Sequence, residues 1–320
     1  MSPTLSVIIV NWNVRDLLHR AVSSVLASWD DRPGLEIIVV DNSSRDSSVD
    51  MVQANFPQVY LIANRENRGF TGGNNQGINA ATGEFLLLLN PDTEIVNSAL
   101  PCLIDYAKIH PDVGMIGPQM LWPDGSVQSS WRRFPSLPVL FLESTWLQAL
   151  TPRRILRDYY AQDKADDAEQ DVDWITGAAM LTRREVIEQV GGMDEGFFMY
   201  SEEVDWCRRI KQAGWRVVYY PNARIIHHEG KSSEQVVAAR HIYFQSSKVR
   251  YTRKYHGTAA AECLRLWLMG QYVGQIGIEG VKWLAGHRRA LRAARIDAYR
   301  QVLRSKLDQS GPVEKEQANE

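Results

Sequence analysis

"FLLLLNPDTE", Phe85 to Glu94, is the stretch on which the reading of the chain turns. Five apolar residues make a short buried strand, and Asn-Pro-Asp then ends it at a polar turn. The first third of the chain repeats that pattern. Further strand runs are Leu5 to Val10, Leu35 to Val40, Val59 to Ile62 and Val113 to Ile116, and helical periods fall near Asp16 to Ala27, Ser47 to Asn55, Gly73 to Ala80 and Ala99 to His110. Continuous apolar strands alternating with helices predict an α/β fold whose mostly parallel central sheet is flanked by helices on both faces. Ligands bind such sheets at the carboxyl ends of the strands, so the turn residues there become the candidates for chemistry.

Four strand ends in succession carry polar groups, which describes a ligand cleft. They are Asn11; Asp41 in "DNSSRDSS"; Asn64, Asn67, Gly69, Gly72, Gly73, Asn74 and Asn75 in "NRENRGFTGGNNQG"; and Asp92 and Glu94 in "NPDTE". The Gly-rich stretch is neither a P-loop nor the G-x-G-x-x-G fingerprint, which argues against a kinase or a dehydrogenase. Glycines ahead of a helix do let backbone N–H groups approach an anion such as a diphosphate. A carboxylate at Asp92 would stand where a hard divalent cation bound to phosphate oxygens wants it. Plainer readings stand beside these: an Asx turn for "DNSSRDSS" and a turn with Pro at its second position for "NPDTE". His227 and His228 close a strand, and alternation sends them to opposite faces, so at most one serves a given site. In "GFFMYSEEVDWCRRI", Gly196 to Ile210, Ser201 reads as an N-cap. Glu202, Glu203 and Asp205 then fall in the first helical turn, where acids suit the dipole and Asp205 can pair with Arg208 or Arg209. A solvated cap does not need so apolar a lead-in.

The chain has 320 residues, 44% of them hydrophobic, and a formal net charge of -2. That length suits one large or two smaller α/β domains, and the charge gives no reason to expect nucleic-acid binding. Cys102, Cys207 and Cys263 are odd in number and far apart, so neither a disulfide framework nor a C-x-x-C zinc site is expected, and a reducing, cytoplasmic setting fits. "MSPTLSVIIVNWN" reads as a strand and not a signal peptide. No run of about 18 uncharged apolar residues predicts a spanning helix.

Past Gly117 the pattern changes. "MLWPDGSVQSSW" reads as a hairpin turning at Asp124-Gly125, followed by an amphipathic segment from Pro138 to Leu150. "AQDKADDAEQDVD", Ala161 to Asp173, reads as a mobile acidic surface loop. "WITGAAMLTRREVIEQVGG" reads as a small-residue turn and a helix closed by Gly191 and Gly192; Glu203 to Ala213 reads as a helix, and "WRVVYYPNARIIHH" as a strand pair broken at Pro221. Between Arg265 and Glu279 no residue is charged, and from Lys282 to Lys306 eight Lys and Arg face Asp297 alone. This apolar-then-basic order suits an anionic membrane surface, or equally a helix pair packing on the main domain or on a second subunit as a homodimer.

The segments "SVIIVNWN", "IIVVDNSSRDSS", "NRGFTGGNNQGI", "LLLLNPDTE", "WITGAAMLTRRE", "GGMDEGFFMYSEEVDWCRRIKQAGW" and "ARIIHHEGKSS", in this order, resemble family 2 inverting glycosyltransferases of the GT-A fold, in particular the rhamnosyltransferase-like group. The resemblance covers nearly three quarters of the chain. It implies nucleotide-sugar contacts from Val10, Asn11, Asp41, Asn67, Gly69, Phe70, Asn74 and Asp92, and a Mg2+ or Mn2+ ion on Asp92 and His227. Asp92 is the last position of the family's acidic triplet, which here reads Asn-Pro-Asp. The family's catalytic pair is Glu-Asp, so the resemblance implies Glu203 as base with Glu202 and Asp205 beside it, although Glu stands where the family has Asp. Acceptor contacts are implied for Trp174, Gly177 and Ala178, with Trp122, Trp131, Arg132, Arg133 and Trp146 as further candidates whose plainer role is packing.

The implied organisation is a GT-A domain over 1–256, with a nucleotide-sugar half (1–117) and an acceptor half (118–256). A helical extension over 257–306 and a disordered tail over 307–320 would follow. The implied partners are a nucleotide-diphosphate sugar, with dTDP-rhamnose favoured, and a glycan or polyprenyl-diphosphate-linked acceptor in polysaccharide or cell-wall assembly, met at the inner face of the membrane. A UDP-hexose or galactofuranose donor, and a noncatalytic nucleotide-sugar or glycan-binding protein of the same fold, are the alternatives.

Overall fold

The computed structural model describes residues 3–30, 32–143, 145, 148, 151–161, 165–228 and 237–308. Trp146 and the tail over 309–320 lie outside the described residues, whereas Leu307, expected within that tail, is buried. In chain order the first half holds β1 (Leu5–Asn11), α1 (Arg15–Trp29), β2 (Leu35–Asp41), α2 (Ser48–Asn55), β3 (Tyr60–Ala63), α3 (Gly69–Ala80), β4 (Phe85–Leu89), β5 (Thr93–Ile95), α4 (Ala99–Ile109), β6 (Val113–Leu121), β7 (Val127–Gln128), β8 (Trp131–Arg132), α5 (Leu137–Leu142) and α6 (Arg153–Tyr159). There follow β9 (Gln170–Asp171), β10 (Trp174–Ile175), β11 (Ala179–Arg183), α7 (Arg184–Val190), α8 (Glu202–Gln212), β12 (Arg216–His227), α9 (Val237–His256), α10 (Thr258–Leu284) and α11 (Arg289–Ser305). They form two compact units: 1–134 with 160–195 and 202–232, and 135–159 with 196–201 and 233–320.

The first unit is built on a mixed sheet of order β3-β2-β1-β4-β11-β6-β12-β5, with β7 on β6 and β9 on β12. β1 pairs in parallel with β2, Leu5 opposite Leu35 through Asn11 opposite Asp41, and with β4, Leu5 opposite Phe85 through Ile9 opposite Leu89. Every residue of β1 and β4 is buried, which is why both sequences are apolar without alternation. On one face Leu18, Val22, Val25 and Trp29 of α1 join Leu5, Val7, Ile9, Val39 and Leu87 in a continuous core.

Four local expectations are corrected. The helix expected near Gly73 to Ala80 begins earlier, at Gly69, so most of the Gly-rich stretch is helical. Its glycines let the helix press on the sheet: a Cβ on Gly73 would fall 2.7 Å from Val10 Cγ1, and one on Gly77 would overlap Ile8 Cγ2. Within "WITGAAMLTRRE" the segment Ala179–Arg183 is a strand, antiparallel to β4 and β6, which makes the sheet mixed. β12 is one strand whose register shifts between Tyr220 and Arg224, and Pro221, which has no N–H for the ladder, sits in that irregularity. The acidic segment is tied down in its described part: the Asp166 carbonyl accepts from Gln119 Nε2 at 2.8 Å and Tyr219 Oη at 2.6 Å, and Asp171 pairs with Arg216 at 2.8 Å. The expected hairpin does turn at Asp124-Gly125, where the Gly125 φ of +83° requires a residue that tolerates the left-handed region.

The second unit packs α9, α10 and α11 together through His241, Tyr272 and Tyr299, whose ring centroids lie 5.5–5.9 Å apart. It also absorbs the apolar lead-in to α8. Phe198 stacks on Tyr243 at 4.5 Å, Tyr200 meets Phe244 edge-on at 5.5 Å, and the Ser247 hydroxyl donates to the Met199 carbonyl. Packing on α9 therefore accounts for these residues.

Candidate active site

Parallel pairing brings the carboxyl ends of β1, β2 and β4 to one edge of the first unit. Asn11 and Asp41 are register partners there, and Asn11 Nδ2 donates to Asp41 Oδ1 at 2.8 Å and to Ser44 Oγ at 3.1 Å. Asp41 Oδ2 accepts from the Ser44 N–H at 2.8 Å, so the "DNSS" turn is an Asx turn that holds the Asp41 carboxylate in place. Asn11 Oδ1 is buried without a hydrogen-bond partner, an acceptor still available. Val10 packs under Gly73 at the foot of the same edge.

The start of α3 adjoins this edge. Asn67 Oδ1 accepts from the Gly69 N–H at 2.8 Å, opening the helix, and Asn42 Nδ2 donates to the Gly69 carbonyl at 2.9 Å. Asn74 is buried and spends its amide on the Phe70 carbonyl, 2.9 Å away, which places it inside the helix rather than on a ligand surface. Phe70 is half-buried.

Asp92, 5% exposed, follows β4 just before β5, and β12 runs antiparallel to β5 with His227 opposite Thr93. That register sets His227 Nε2 3.4 Å from Asp92 Oδ1. Its other nitrogen, Nδ1, is hydrogen-bonded to Gln128 Oε1 at 2.8 Å. An amide oxygen only accepts, so Nδ1 carries the proton and the Nε2 lone pair faces a carboxylate. Two electron-pair donors facing each other is an arrangement that a bound cation, or a proton on Nε2, resolves. His228 turns the other way, with Nε2 2.8 Å from Glu94 Oε1. A second oxygen in this segment, Asn90 Oδ1, is buried and has no hydrogen-bond partner. The carboxylate and imidazole of the Asp92–His227 pair are donors of the kind that suit Mg2+ or Mn2+.

The three acids of α8 occupy different environments. Glu202 is 4% exposed, and burial, followed by the neighbouring Glu203 carboxylate, pushes its carboxyl well above the usual range. Asp205 is fully buried and accepts from Arg209 Nε at 2.9 Å. Glu203 is half-buried beside Gly177: a Cβ on that glycine would lie 3.5 Å from the Phe70 ring and 3.9 Å from Glu203 Cβ. Gly177 thus keeps open the space between the start of α3 and the start of α8.

The sequence model described as "Glycosyltransferase like family 2" matches residues 3–241. The chain belongs to this glycosyltransferase family. It is 32% identical over 245 residues to the N-acetylglucosaminyl-diphospho-decaprenol L-rhamnosyltransferase of Mycobacterium tuberculosis, covering 73% of this chain and 78% of that protein. It is 26% identical over 174 residues to the rhamnosyltransferase WbbL of Escherichia coli, covering 53% of this chain and 62% of that one. The fold resembles that of the mannosyltransferase PcManGT from Pyrobaculum calidifontis, solved with GDP-Man and Mn2+, at a TM-score of 0.53 and 16% identity over 95% of this chain and 86% of that one. The glycosyltransferase has the GT-A fold.

In this glycosyltransferase the implied acceptor residues separate. Gly177 borders the site, whereas Ala178 is buried with its carbonyl accepting from the Asn90 N–H at 2.9 Å. Trp174 is buried, with its indole N–H on the Arg133 carbonyl and the Arg132 guanidinium 5.2 Å above its ring. Trp131 is buried 5.6 Å from Tyr219, and Trp122 is exposed. The residues that sequence reasoning passed over are Asn42, Asn90 and Gln128. Asn42 and Asn90 follow strand ends and could have been found on that ground; Gln128 reaches His227 only through the pairing of β7 with β6.

Proposed function

We propose that this glycosyltransferase moves a hexosyl group with inversion, L-rhamnose from dTDP-rhamnose being the favoured donor, to a polyprenyl-diphosphate-linked or free glycan acceptor in cell-surface polysaccharide or cell-wall assembly. The donor reading is supported by the two relatives named as rhamnosyltransferases, and the acceptor reading by the diphospho-decaprenol in the name of one of them. The observation that supports the catalytic assignment is the approach of Glu203 and Phe70 across Gly177, which brings Glu203 Cβ beside the start of α3.

Asn11 and Asp41 hold the nucleoside, and the first turn of α3 lines the donor. Glu203 accepts the proton of the acceptor hydroxyl as that oxygen bonds to the anomeric carbon. The bond from that carbon to the diphosphate breaks on the opposite face through an oxocarbenium-like transition state, so the configuration inverts. Glu202, buried with its carboxyl pushed toward the neutral form, does not compete for this proton. Gln128 fixes the His227 ring so that Nε2 faces Asp92. Asp92 and His227 are the residues that would hold a divalent cation, which when bound supplies charge stabilisation to the departing diphosphate.

Glu203→Gln is expected to abolish transfer from dTDP-rhamnose while dTDP still binds, measured by product formation and calorimetry. Near-normal turnover in that variant would refute the base assignment. Turnover of the unaltered enzyme with UDP-hexoses but not with dTDP-rhamnose would overturn the donor.

A further inference from the structure

The C-terminal helices carry a surface that transfer does not use. From Cys263 to Val281 every exposed residue of α10 is apolar, cysteine or glycine: Cys263, Leu266, Gly270, Val273, Gly274, Gly277, Ile278 and Val281. At about 100° per residue Leu266, Val273, Gly277, Val281 and Leu284 fall within one arc, a stripe about 27 Å long at 1.5 Å per residue. Its side chains are open to solvent, with Leu266 62%, Val273 60%, Val281 68% and Leu284 71% exposed. A Cβ on Gly270, Gly274, Gly277 or Gly280 would meet nothing within 4 Å. The opposite face is already committed, Leu264, Leu268 and Tyr272 being buried in the second unit. So continuous an exposed apolar stripe marks an interaction surface.

The chain that follows indicates the occupant. Lys282, Arg288, Arg289, Arg295, Arg300, Arg304 and Lys306 stand with Arg292 against Asp297 alone from 282 to 306. Arg292 is spent on the buried Glu279, 2.8 Å away, whereas Arg289, Arg300 and Arg304 share the exposed side of α11. Trp283, 40% exposed, closes the stripe with the Arg289 guanidinium 5.3 Å above its ring, an aromatic at the boundary of apolar and charged surface as the membrane interface favours. A second copy seated on the stripe would bring two such basic segments together, whereas anionic headgroups complement them. No helix among the described residues is long and apolar enough to cross a membrane.

We propose that the exposed face of α10, with the basic segment after it, docks on the surface of an anionic phospholipid bilayer and lies in the interface plane. This stands independently of the donor and acceptor assignments. The test is flotation of the full chain with phosphatidylcholine vesicles, with and without phosphatidylglycerol. Binding is expected only with phosphatidylglycerol and should weaken as salt is raised. Arg288→Gln with Arg289→Gln should weaken it about 25-fold, at roughly fivefold per charge, and Val273→Glu more than tenfold, with circular dichroism unchanged in both. Because both positions are exposed, each variant checks the other. Absence of binding to the phosphatidylglycerol vesicles, or binding that neither variant weakens, overturns the proposal. So does a concentration-dependent dimer in light scattering that Val273→Glu dissociates, which would assign the stripe to a second copy.

Discussion

Asp205→Ala separates positioning from chemistry among the three acids of α8. Asp205 is fully buried, and its carboxylate accepts from Arg209 Nε at 2.9 Å. The same guanidinium donates from Nη1 to the Val190 carbonyl at 2.7 Å and from Nη2 to the Gly192 carbonyl at 2.6 Å. Asp205 therefore anchors a cation that ties α8 to the end of α7, and the Trp206 indole reinforces that tie through the Gly191 carbonyl at 3.0 Å. Removing one partner of a buried ion pair costs about 3–5 kcal/mol. Arg209 is 21% exposed and keeps two carbonyl partners, so the lower end, about 3 kcal/mol, is expected, or about two decades in the folding constant. Asp205→Asn keeps an oxygen for Arg209 and should cost about 1–2 kcal/mol. Urea unfolding followed by tryptophan fluorescence measures both, and turnover per folded molecule should stay within about tenfold of the unaltered enzyme. Were Asp205→Asn to unfold like the unaltered protein yet lose transfer as completely as Glu203→Gln, Asp205 would be acting on the reacting atoms and this reasoning would fail.

Two further outcomes follow from the same site. The Glu202 carboxyl is raised in the folded state, so the folded chain binds more protons than the unfolded one above the ordinary glutamate value of about 4.3. Stability should therefore fall as pH rises from that value toward the folded one, and Glu202→Gln should remove the fall, its melting-temperature advantage growing as the pH is raised above about 4; parallel melting curves would contradict this. Gln128→Leu should raise the Mn2+ concentration needed for half-maximal transfer about 10–100-fold by freeing the His227 ring. His228→Asn, whose ring faces Glu94, should leave that concentration unchanged, and the reverse ranking would exchange the two histidines.

The sheet was legible because β1, β2 and β4 are covered on both faces, so their apolar runs carry no alternation to confuse with a helix. Asn11, Asp41 and Asp92 were legible for the same reason, since each stands where such a run stops. β11 was not, because "GAAMLTR" joins small residues to a strand too short to show a period. The start of α3 was hidden too, because a glycine reads as a loop until its neighbour is known. Gly73 and Gly77 are required by Val10 and Ile8, more than sixty positions earlier. Gln128 was beyond any local pattern, since its meaning lies in a hydrogen bond to a residue 99 positions away.

The pair Glu202 and Glu203 shows what the fold adds to a motif. Consecutive residues on a helix point about 100° apart, so two adjacent acids at its first turn do not share a surroundings. Burial drives the first toward the neutral acid, and the charge of the second raises it further. A neutral Glu202 would spare Glu203 the repulsion of a second carboxylate, and a helix N-terminus favours an anionic side chain. The proposed base role asks for an ionised carboxylate, and of two like charges in one turn the half-buried one is the less costly to keep. Glu203 stands where the family has Asp, and under the proposed mechanism its extra methylene sets the carboxylate one bond farther from the Cβ that lies beside Gly177.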